Sequence, residues 1–383
     1  MKKRITEFLK RETVLCAALI LAVISMFMIP PDKEYLGYID FRTLAILFCL
    51  MSIMAGLQKI GVFRWVAGKL LACVRGKRSL VLILVLLCFF SGMLITNDVA
   101  LITFVPFTFT VLGMLGEEEK KRLLLPVVVM QTIAANLGSM LTPIGNPQNL
   151  YLYGKAGISI GEFLSLTLPY TVLAFVLLTG WSLIQGGICS KDQGLSAVSI
   201  QEKFPSGGKA KYLPAVYLVL FLICLLTVGR VLPWQAVLLF VFVSVFLTDR
   251  QVLARVDYSL LLTFVGFFVF IGNVGRVPAF REFLQRVIVG REVYISVIAS
   301  QIISNVPAAL LLSGFTEDFS GLIIGTNLGG LGTLIASMAS LISYKYVARE
   351  EGERKGKYIV LFTVSNICFL AALILLDILL RYV

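Results

Sequence analysis

An acidic polar triplet, Thr96-Asn97-Asp98, lies in the middle of a largely apolar stretch that covers residues 79–115. Charged residues bound this stretch on both sides, with Arg78 before it and Glu117 after it. A charge at the centre of a bilayer costs at least about 2.5–3.5 kcal/mol on insertion scales, and an acid inside a membrane segment usually marks an ion or substrate pathway. We therefore predict a hairpin over residues 79–115 that enters the membrane, turns at Asn97 and leaves on the same side. The alternative is a pair of full spans, since each leg is long enough to cross.

The composition is that of a polytopic helical membrane protein. The chain of 383 residues is 58% hydrophobic with a mean hydropathy of +0.92, which leaves no stretch for a soluble domain. A net charge of +12 would suggest nucleic acid in a soluble protein, but here the basic residues cluster in short loops, where they orient the spans. We expect no nucleic-acid partner. We expect a multi-pass protein of the plasma (cell inner) membrane, embedded in the lipid bilayer, with its basic N-terminal residues 2–11 in the cytoplasm.

Several kinds of chemistry lack their usual residues in this sequence. There is no histidine, and the seven cysteines show no paired spacing, so we expect no cofactor, no structural metal and no disulfide framework. We find no paired aspartates or Ser/Lys pair facing the membrane, and no phosphate-binding loop of the Gly-Lys-Ser/Thr type. A membrane enzyme is a remote alternative, and we predict that the chain is not an enzyme.

The order of apolar and basic stretches divides the chain into two similar halves and a connector. Residues 1–189 form the first predicted repeat, residues 190–232 a cytoplasmic loop with one connecting span, and residues 233–383 the second repeat. Each repeat contains two spans, an amphipathic surface helix, a hairpin, a broken helix and a last span. These elements are predicted at residues 14–29, 41–57, 58–78, 79–115, 123–149 and 163–184, and at residues 234–247, 258–272, 276–291, 293–315, 321–344 and 358–380. An ordinary outer loop is the alternative for residues 149–151.

The two halves share short motifs in the same order, which indicates an internal repeat. Each correspondence is weak alone, but the shared order strengthens all of them. The corresponding residues are Asp40-Phe41 and Asp257-Tyr258, Phe63-Arg64 and Phe280-Arg281, Thr96-Asn97 and Ser304-Asn305, Asn136-Leu137-Gly138 and Asn327-Leu328-Gly329, Thr142 and Thr333, and Asn146 and Ser337.

The connecting span at residues 212–228 inverts the second repeat relative to the first, since the crossings of one repeat return the chain to its starting side. We predict an all-α polytopic membrane protein of two inverted-topology repeats, each with a re-entrant hairpin and a broken transmembrane helix. Such inverted repeats with discontinuous helices are typical of secondary transporters, whose binding site lies near the bilayer midplane.

The hairpin tips and helix breaks together give the predicted substrate- and ion-binding site. Its residues are Thr96, Asn97, Asp98, Asn136, Gly138, Thr142, Gly145, Asn146, Ser304, Asn305, Asn327, Gly329, Thr333 and Ser337. Freed helix ends present N–H groups to anions and carbonyl groups to cations. No arginine or lysine is predicted at the membrane centre, so we expect helix dipoles, amides and hydroxyls to hold an anion.

One position breaks the symmetry, because Asp98 corresponds to Val306 in the second repeat. A carboxylate beside amides and hydroxyls suits a sodium ion, for which the predicted ligands are Asn97, Asp98, Gly138 and Thr142. Asp98 is equally the main candidate for a proton carrier in a chain without histidine. The structural alternative is that Asp98 caps the second leg of the hairpin.

These motifs resemble those of the ion transporter superfamily. Thr96-Asn97-Asp98-Val99-Ala100-Leu101 with Val105-Pro106 is similar to the signature of its first hairpin, and Gly145-Asn146-Pro147-Gln148-Asn149 resembles its Gly- and Pro-rich loop. The superfamily includes divalent anion/sodium symporters, citrate–metal transporters, and arsenite-efflux and sodium/proton antiporter permeases. Its symporters carry Ser-Asn-Thr at each tip, whereas this chain has Asp98 and Val306 at the third positions. The aspartate favours the arsenite, antiporter and citrate–metal branches.

The resemblance implies a homodimer with a scaffold part and a transport part that moves like an elevator. The leading hypothesis is a secondary active transporter that moves a small anionic substrate, a carboxylate or an inorganic oxyanion, coupled to a sodium ion or a proton. The alternative keeps the fold and makes the chain a sodium/proton or arsenite-type antiporter.

Overall fold

The regular structure is helical throughout the part of the chain that the computed structural model describes, which is residues 12–72, 74, 76–188 and 212–382. No strand occurs among these residues. The basic residues 2–11 and the predicted cytoplasmic loop at residues 190–211 lie outside the described residues, except for Leu-free positions of no consequence to the fold, so those two predictions stay predictions.

The helices follow one another with short connections. They are α1 (Thr13–Met28), α2 (Phe41–Ile60), α3 (Val62–Leu71), α4 (Lys77–Ile95), α5 (Asn97–Gly113), α6 (Glu117–Ser139), α7 (Pro147–Ala156), α8 (Ile160–Ile188), α9 (Leu213–Val228), α10 (Trp234–Asp249), α11 (Tyr258–Gly275), α12 (Pro278–Ile288), α13 (Glu292–Ile303), α14 (Asn305–Leu312), α15 (Phe319–Leu328), α16 (Met338–Glu350) and α17 (Lys355–Tyr382).

Seven helical segments in the described part are long and apolar enough to cross a membrane, judged by length and composition. They are α2, α4, α6, α8, α10 with the 3₁₀ turn that follows it, α11, and α17 with the 3₁₀ turn that precedes it. The shorter apolar helices are α1, α5, α9, α13 and α15. The prediction of an all-helical, multi-pass membrane protein is confirmed, whereas re-entrance of the hairpins and inversion of the repeats stay predictions.

The aspartates that open the two corresponding spans are N-caps. The Oδ1 atom of Asp40 accepts a hydrogen bond from the Thr43 N–H at 3.0 Å, and Asp257 accepts one from the Leu260 N–H at 3.0 Å. Such caps satisfy one of the free N–H groups of a helix start and stabilise it by about 1 kcal/mol. The same local signal therefore starts α2 and α11.

Each predicted hairpin turns at a single residue between two helices. Thr96 separates α4 from α5, and Ser304 separates α13 from α14. The two residues have nearly the same backbone conformation, with φ 70° and ψ 150° at Thr96 and φ 75° and ψ 154° at Ser304. This region of positive φ is populated mainly by glycine. The shared conformation makes the two turns geometrically alike.

The two broken helices are interrupted at residues 140–146, between α6 and α7, and at residues 329–337, between α15 and α16. The first one starts at Glu117, earlier than the predicted residue 123, because acidic residues in its first turn favour the positive end of a helix. It also extends past residue 149, since α7 runs to Ala156. The alternative of an outer loop at residues 149–151 is wrong, because Asn149, Leu150 and Tyr151 are buried in α7.

The helices pack into two groups. The first contains α2 with α9 and α10, and α11 with α1. The second contains both hairpins, both broken helices, α8 and α17. Contacts of α2 with α7 and of α11 with α14 join the groups. Within the second group the halves interlock, because α7 packs on hairpin leg α14 and α16 packs on hairpin leg α5. The polar breaks are thereby buried between the two halves.

Candidate functional site

Each hairpin tip is hydrogen-bonded to the break that follows it in the chain. The backbone N–H of Asn97 donates to the Gly145 carbonyl at 3.2 Å, and the N–H of Asn305 donates to the Ala336 carbonyl at 2.9 Å. Gly145 and Ala336 stand at the same sequence offset as Thr142 and Thr333. The two tips thus make equivalent backbone contacts.

A threonine in each break forms a second link to the first leg of the hairpin. The Thr142 hydroxyl donates to the Met93 carbonyl, and the Thr333 hydroxyl donates to the Gln301 carbonyl at 3.4 Å. Thr333 is exposed. The Gln301 side chain also contacts the break, since its Nε2 donates to the Leu331 carbonyl at 2.8 Å. Both threonines therefore fasten a break to a hairpin.

Asn136, at the end of α6, is the first centre of a buried group of polar side chains. Its Oδ1 accepts from Asn97 Nδ2 at 3.0 Å and from the Ser337 hydroxyl at 3.1 Å. Its Nδ2 lies 3.4 Å from the Gly330 carbonyl and 3.5 Å from the Ser340 hydroxyl. One amide thus joins the first hairpin tip to the second break.

Asn327, at the end of α15, is the second centre and makes the corresponding contacts with the first break. Asn146 Nδ2 donates to Asn327 Oδ1 at 3.0 Å, and Asn327 Nδ2 donates to Asn149 Oδ1 at 2.6 Å. Asn146 also caps α7, because its Oδ1 accepts from the Asn149 N–H at 2.9 Å.

The contacts of the two centres are reciprocal. Asn136 contacts Ser337 and Ser340, and Asn327 contacts the residues that correspond to these two serines, at one constant sequence offset. We call Asn97, Asn136, Asn146, Asn149, Asn327 and Ser337 the amide cluster. All six are at most 5% exposed. Buried amides this well paired fix one arrangement of the surrounding backbone.

The predicted site glycines serve close packing. A Cβ atom at Gly138 would lie 2.0 Å from the Phe89 carbonyl oxygen, and one at Gly145 would lie 2.1 Å from the Ser139 carbonyl oxygen. A Cβ atom at Gly329 would lie 2.5 Å from the Ser300 hydroxyl. The glycines let hairpins and breaks approach each other.

Asp98 is half-buried and lies beside the amide cluster. It is the second residue of α5, where its N–H takes a hydrogen bond to Asn97 Oδ1 at 3.0 Å. Asp98 does not cap α5, because Thr96 holds the N-cap position and no hydrogen bond from a described residue reaches the Asp98 carboxylate. The capping alternative is therefore wrong. Gly138 and Thr142, the other predicted sodium ligands besides Asn97, make their contacts with α4.

Ser304 and Asn305 complete the second tip and are both buried. The Ser304 hydroxyl lies 3.5 Å from the Ala336 carbonyl. Sequence reasoning missed Asn149, Ser340 and Gln301 as members of the site. The first two stand at one offset from each other, so the repeat pairing itself carried the signal that would have found them.

Apolar spanning helices whose backbones break together around buried amides define a membrane transporter, since broken helices in a bilayer need such protein surroundings. The family model described as the citrate transporter matches residues 5–318, and the chain belongs to this family of the ion transporter superfamily. The predicted superfamily is confirmed.

Curated relatives agree with this assignment. The chain is 30% identical to the inner membrane protein YbiR of Escherichia coli over 327 residues, which cover 84% of each chain. It is 30% identical to an uncharacterized transporter of Methanocaldococcus jannaschii over 342 residues, 89% of this chain and 90% of the relative. Over 178 residues it is 30% identical to the silicon efflux transporter LSI3 of Oryza sativa, covering 45% of this chain and 35% of the relative.

Proposed function

We propose that this protein is a secondary active transporter of a small anion, a carboxylate or an inorganic oxyanion, coupled to sodium or protons. The observation that carries the proposal is the convergence of four helix starts on the amide cluster. These helices are α5, α7, α14 and α16. Each helix N-terminus carries about half a positive charge and free N–H groups, which together favour an anion without a fixed basic residue.

The hydrogen bonds link these four starts directly. Asn97 opens α5 and bonds to Gly145, which lies next to the N-cap of α7. Asn97 also reaches Ser337, the N-cap of α16, through Asn136. Asn305 opens α14 and bonds to Ala336, the neighbour of Ser337. An anion among these residues would be within reach of both repeats.

The names of the relatives favour the same substrate class. The matched family is described by citrate, a carboxylate, and the rice relative by silicon efflux. The reciprocal contacts of Asn136 and Asn327 support the inverted repeats. The two packing groups, joined by α2–α7 and α11–α14, support a scaffold part and a moving transport part in a homodimer.

Asp98 is the proposed coupling residue. It is the acid nearest in sequence to the amide cluster, it is half-buried, and no described side chain neutralises it by an ion pair. The same observation favours the second candidate function, in which Asp98 exchanges sodium or protons in an antiporter. The two candidates differ in whether an anion binds.

The experiment that tests the proposal is the thermal stability of the purified protein with a panel of carboxylates and inorganic oxyanions. Each anion is measured with sodium and in sodium-free buffer over a range of pH. A ligand at a hundred times its dissociation constant stabilises the folded state by about 2.7 kcal/mol. We expect one anion class to raise Tm, and to do so more strongly with sodium or at one pH. If sodium or pH acts and no anion does, the antiporter function replaces the symporter function.

A further inference from the structure

A cavity of about 670 Å³ lies at the base of the second hairpin, at the opposite end of that hairpin from Ser304 and Asn305. Its wall includes Lys155 of α7, Arg281 of α12, Glu292 of α13 and the loop residues Thr316–Asp318. Its size is in the range of small-ligand sites. The cavity is separate from the amide cluster, and no member of that cluster lines it.

Glu292 is the buried charged group of this cavity, with only 4% of its surface exposed. Its Oε1 accepts hydrogen bonds from the Thr316 hydroxyl at 2.8 Å and from the Gly290 N–H at 3.1 Å. Both donors are neutral. No described residue donates to Oε2, and no lysine or arginine of the described chain forms an ion pair with Glu292. A buried carboxylate without a countercharge is costly.

The remaining charges of the cavity balance each other. Lys155 and Arg281 are positive, Glu317 and Asp318 are negative, and all four are exposed to solvent. Asp318 is already engaged as the N-cap of α15, where it accepts from the Gly321 N–H at 2.9 Å. The cavity therefore carries one uncompensated negative charge, at Glu292.

We infer that this cavity binds a small monovalent cation at the free oxygen of Glu292. A single uncompensated carboxylate matches one positive charge, and water in the cavity supplies further oxygen ligands. A divalent site would need more acidic ligands, and no group of three His, Cys, Asp or Glu residues that could hold a metal ion occurs in the described chain. This site is additional to the proposed coupling residue Asp98, and the inference does not require that the protein transports an anion.

The test is the effect of sodium on Tm of the purified protein, with choline replacing sodium at constant ionic strength. The Asp98→Asn variant is the background, so that the proposed coupling site no longer contributes. We expect sodium still to raise Tm in this variant, and the rise to disappear when Glu292→Gln is added. Glutamine keeps an oxygen that accepts from Thr316 and Gly290. The matched control adds Glu317→Gln, an exposed acid of the same cavity, and should retain the rise.

Two results would overturn the inference. One is a sodium effect that is already absent in Asp98→Asn, and the other is an equal effect with and without Glu292→Gln, as expected if Glu292 is a neutral acid. If Glu292→Gln lowers Tm in choline too far to be measured, Arg281→Gln in the same background replaces it. Removing this positive charge should lower the half-saturating sodium concentration, and no change or an increase would contradict the site. Anion binding is measured separately, so failure here leaves the proposed function intact.

Discussion

Thr96 and Ser304 each hold a backbone conformation that suits glycine, which costs on the order of 1–3 kcal/mol. Strain of this kind persists where surrounding contacts impose it, and here Asn97 and Asn305 bond to the breaks immediately after each strained residue. The tips are thus held in place by their neighbours in space. Local sequence preference alone would not produce them.

Replacing Thr96 by glycine should therefore raise Tm or leave it unchanged, because the substitution relieves the strained φ and no side-chain hydrogen bond of Thr96 is lost. The matched control is Thr110→Gly in the regular part of α5, which should lower stability by about 0.5–1 kcal/mol. Thermal unfolding of both variants is the measurement. Equal destabilisation by the two substitutions would contradict the strain at Thr96.

Asp98→Asn tests the proposed coupling residue. Asparagine keeps the size of the side chain and removes its charge, so transport should lose its dependence on sodium or on pH. The measurement is initial uptake into proteoliposomes with and without each cation gradient. Full retention of sodium or proton coupling would show that Asp98 has another role.

The broken helices are the elements that bring the two halves together. Asn136→Ala removes the partner of Asn97 and Ser337, and Asn327→Ala removes the partner of Asn146 and Asn149. Leaving buried polar groups unpaired costs about 1–3 kcal/mol each. We expect both variants to lose stability and also anion binding.

The matched control for these variants is Asn366→Ala. Asn366 is a buried asparagine in α17 whose Nδ2 donates to the Phe362 carbonyl of its own helix at 2.8 Å. Thermal titration with the stabilising anion should give an unchanged dissociation constant for this variant, whatever its Tm. An equal loss of binding in all three variants would indicate a general structural effect.

The same elements mark how far sequence reasoning reached. The positions of the turns and breaks were predictable, because Asn97, Pro143 and Gly145 interrupt apolar runs with polar or helix-breaking residues. The start of α6 was missed because Glu117 to Arg122 resemble a charged loop, although acids stabilise a helix start. The helix α7 had a local signal, since Asn146 before Pro147 is a favourable N-cap and N1 pair. The contact of Asn149 with Asn327 depends on packing between distant segments, which no local pattern encodes.

The whole molecule is predicted to expose its two hairpin bases on opposite sides of the membrane. Single cysteines replacing Glu118 and Glu317 in a variant without the seven native cysteines should label from opposite sides, with Glu118 cytoplasmic. The Lys77–Glu119 ion pair at 2.7 Å joins the starts of α4 and α6, so Ser79→Cys should label from the same side as Glu118→Cys. Labelling of all three from one side would contradict the inverted repeats.

A contact between loops at the predicted outer face should make stability depend on pH. The hydrogen bond from Arg276 lowers the pKa of Asp32 below its ordinary value. Because the folded-state pKa is lowered, the stabilisation is present above the unfolded pKa, about 3.9, and is lost as pH falls through the lower folded value. Tm of the wild type should therefore fall more on acidification below about pH 4 than Tm of Asp32→Asn. Parallel curves would mean that the pair contributes nothing.

Gradient-driven accumulation tests the central claim most directly. Purified protein is reconstituted into liposomes, and uptake of the anion that stabilises it is followed with an inward sodium gradient, an inward proton gradient or neither. The account predicts accumulation above the external concentration with one of the gradients, and its collapse when an ionophore dissipates that gradient. Uptake that only equilibrates the anion, regardless of either gradient, would contradict secondary active transport.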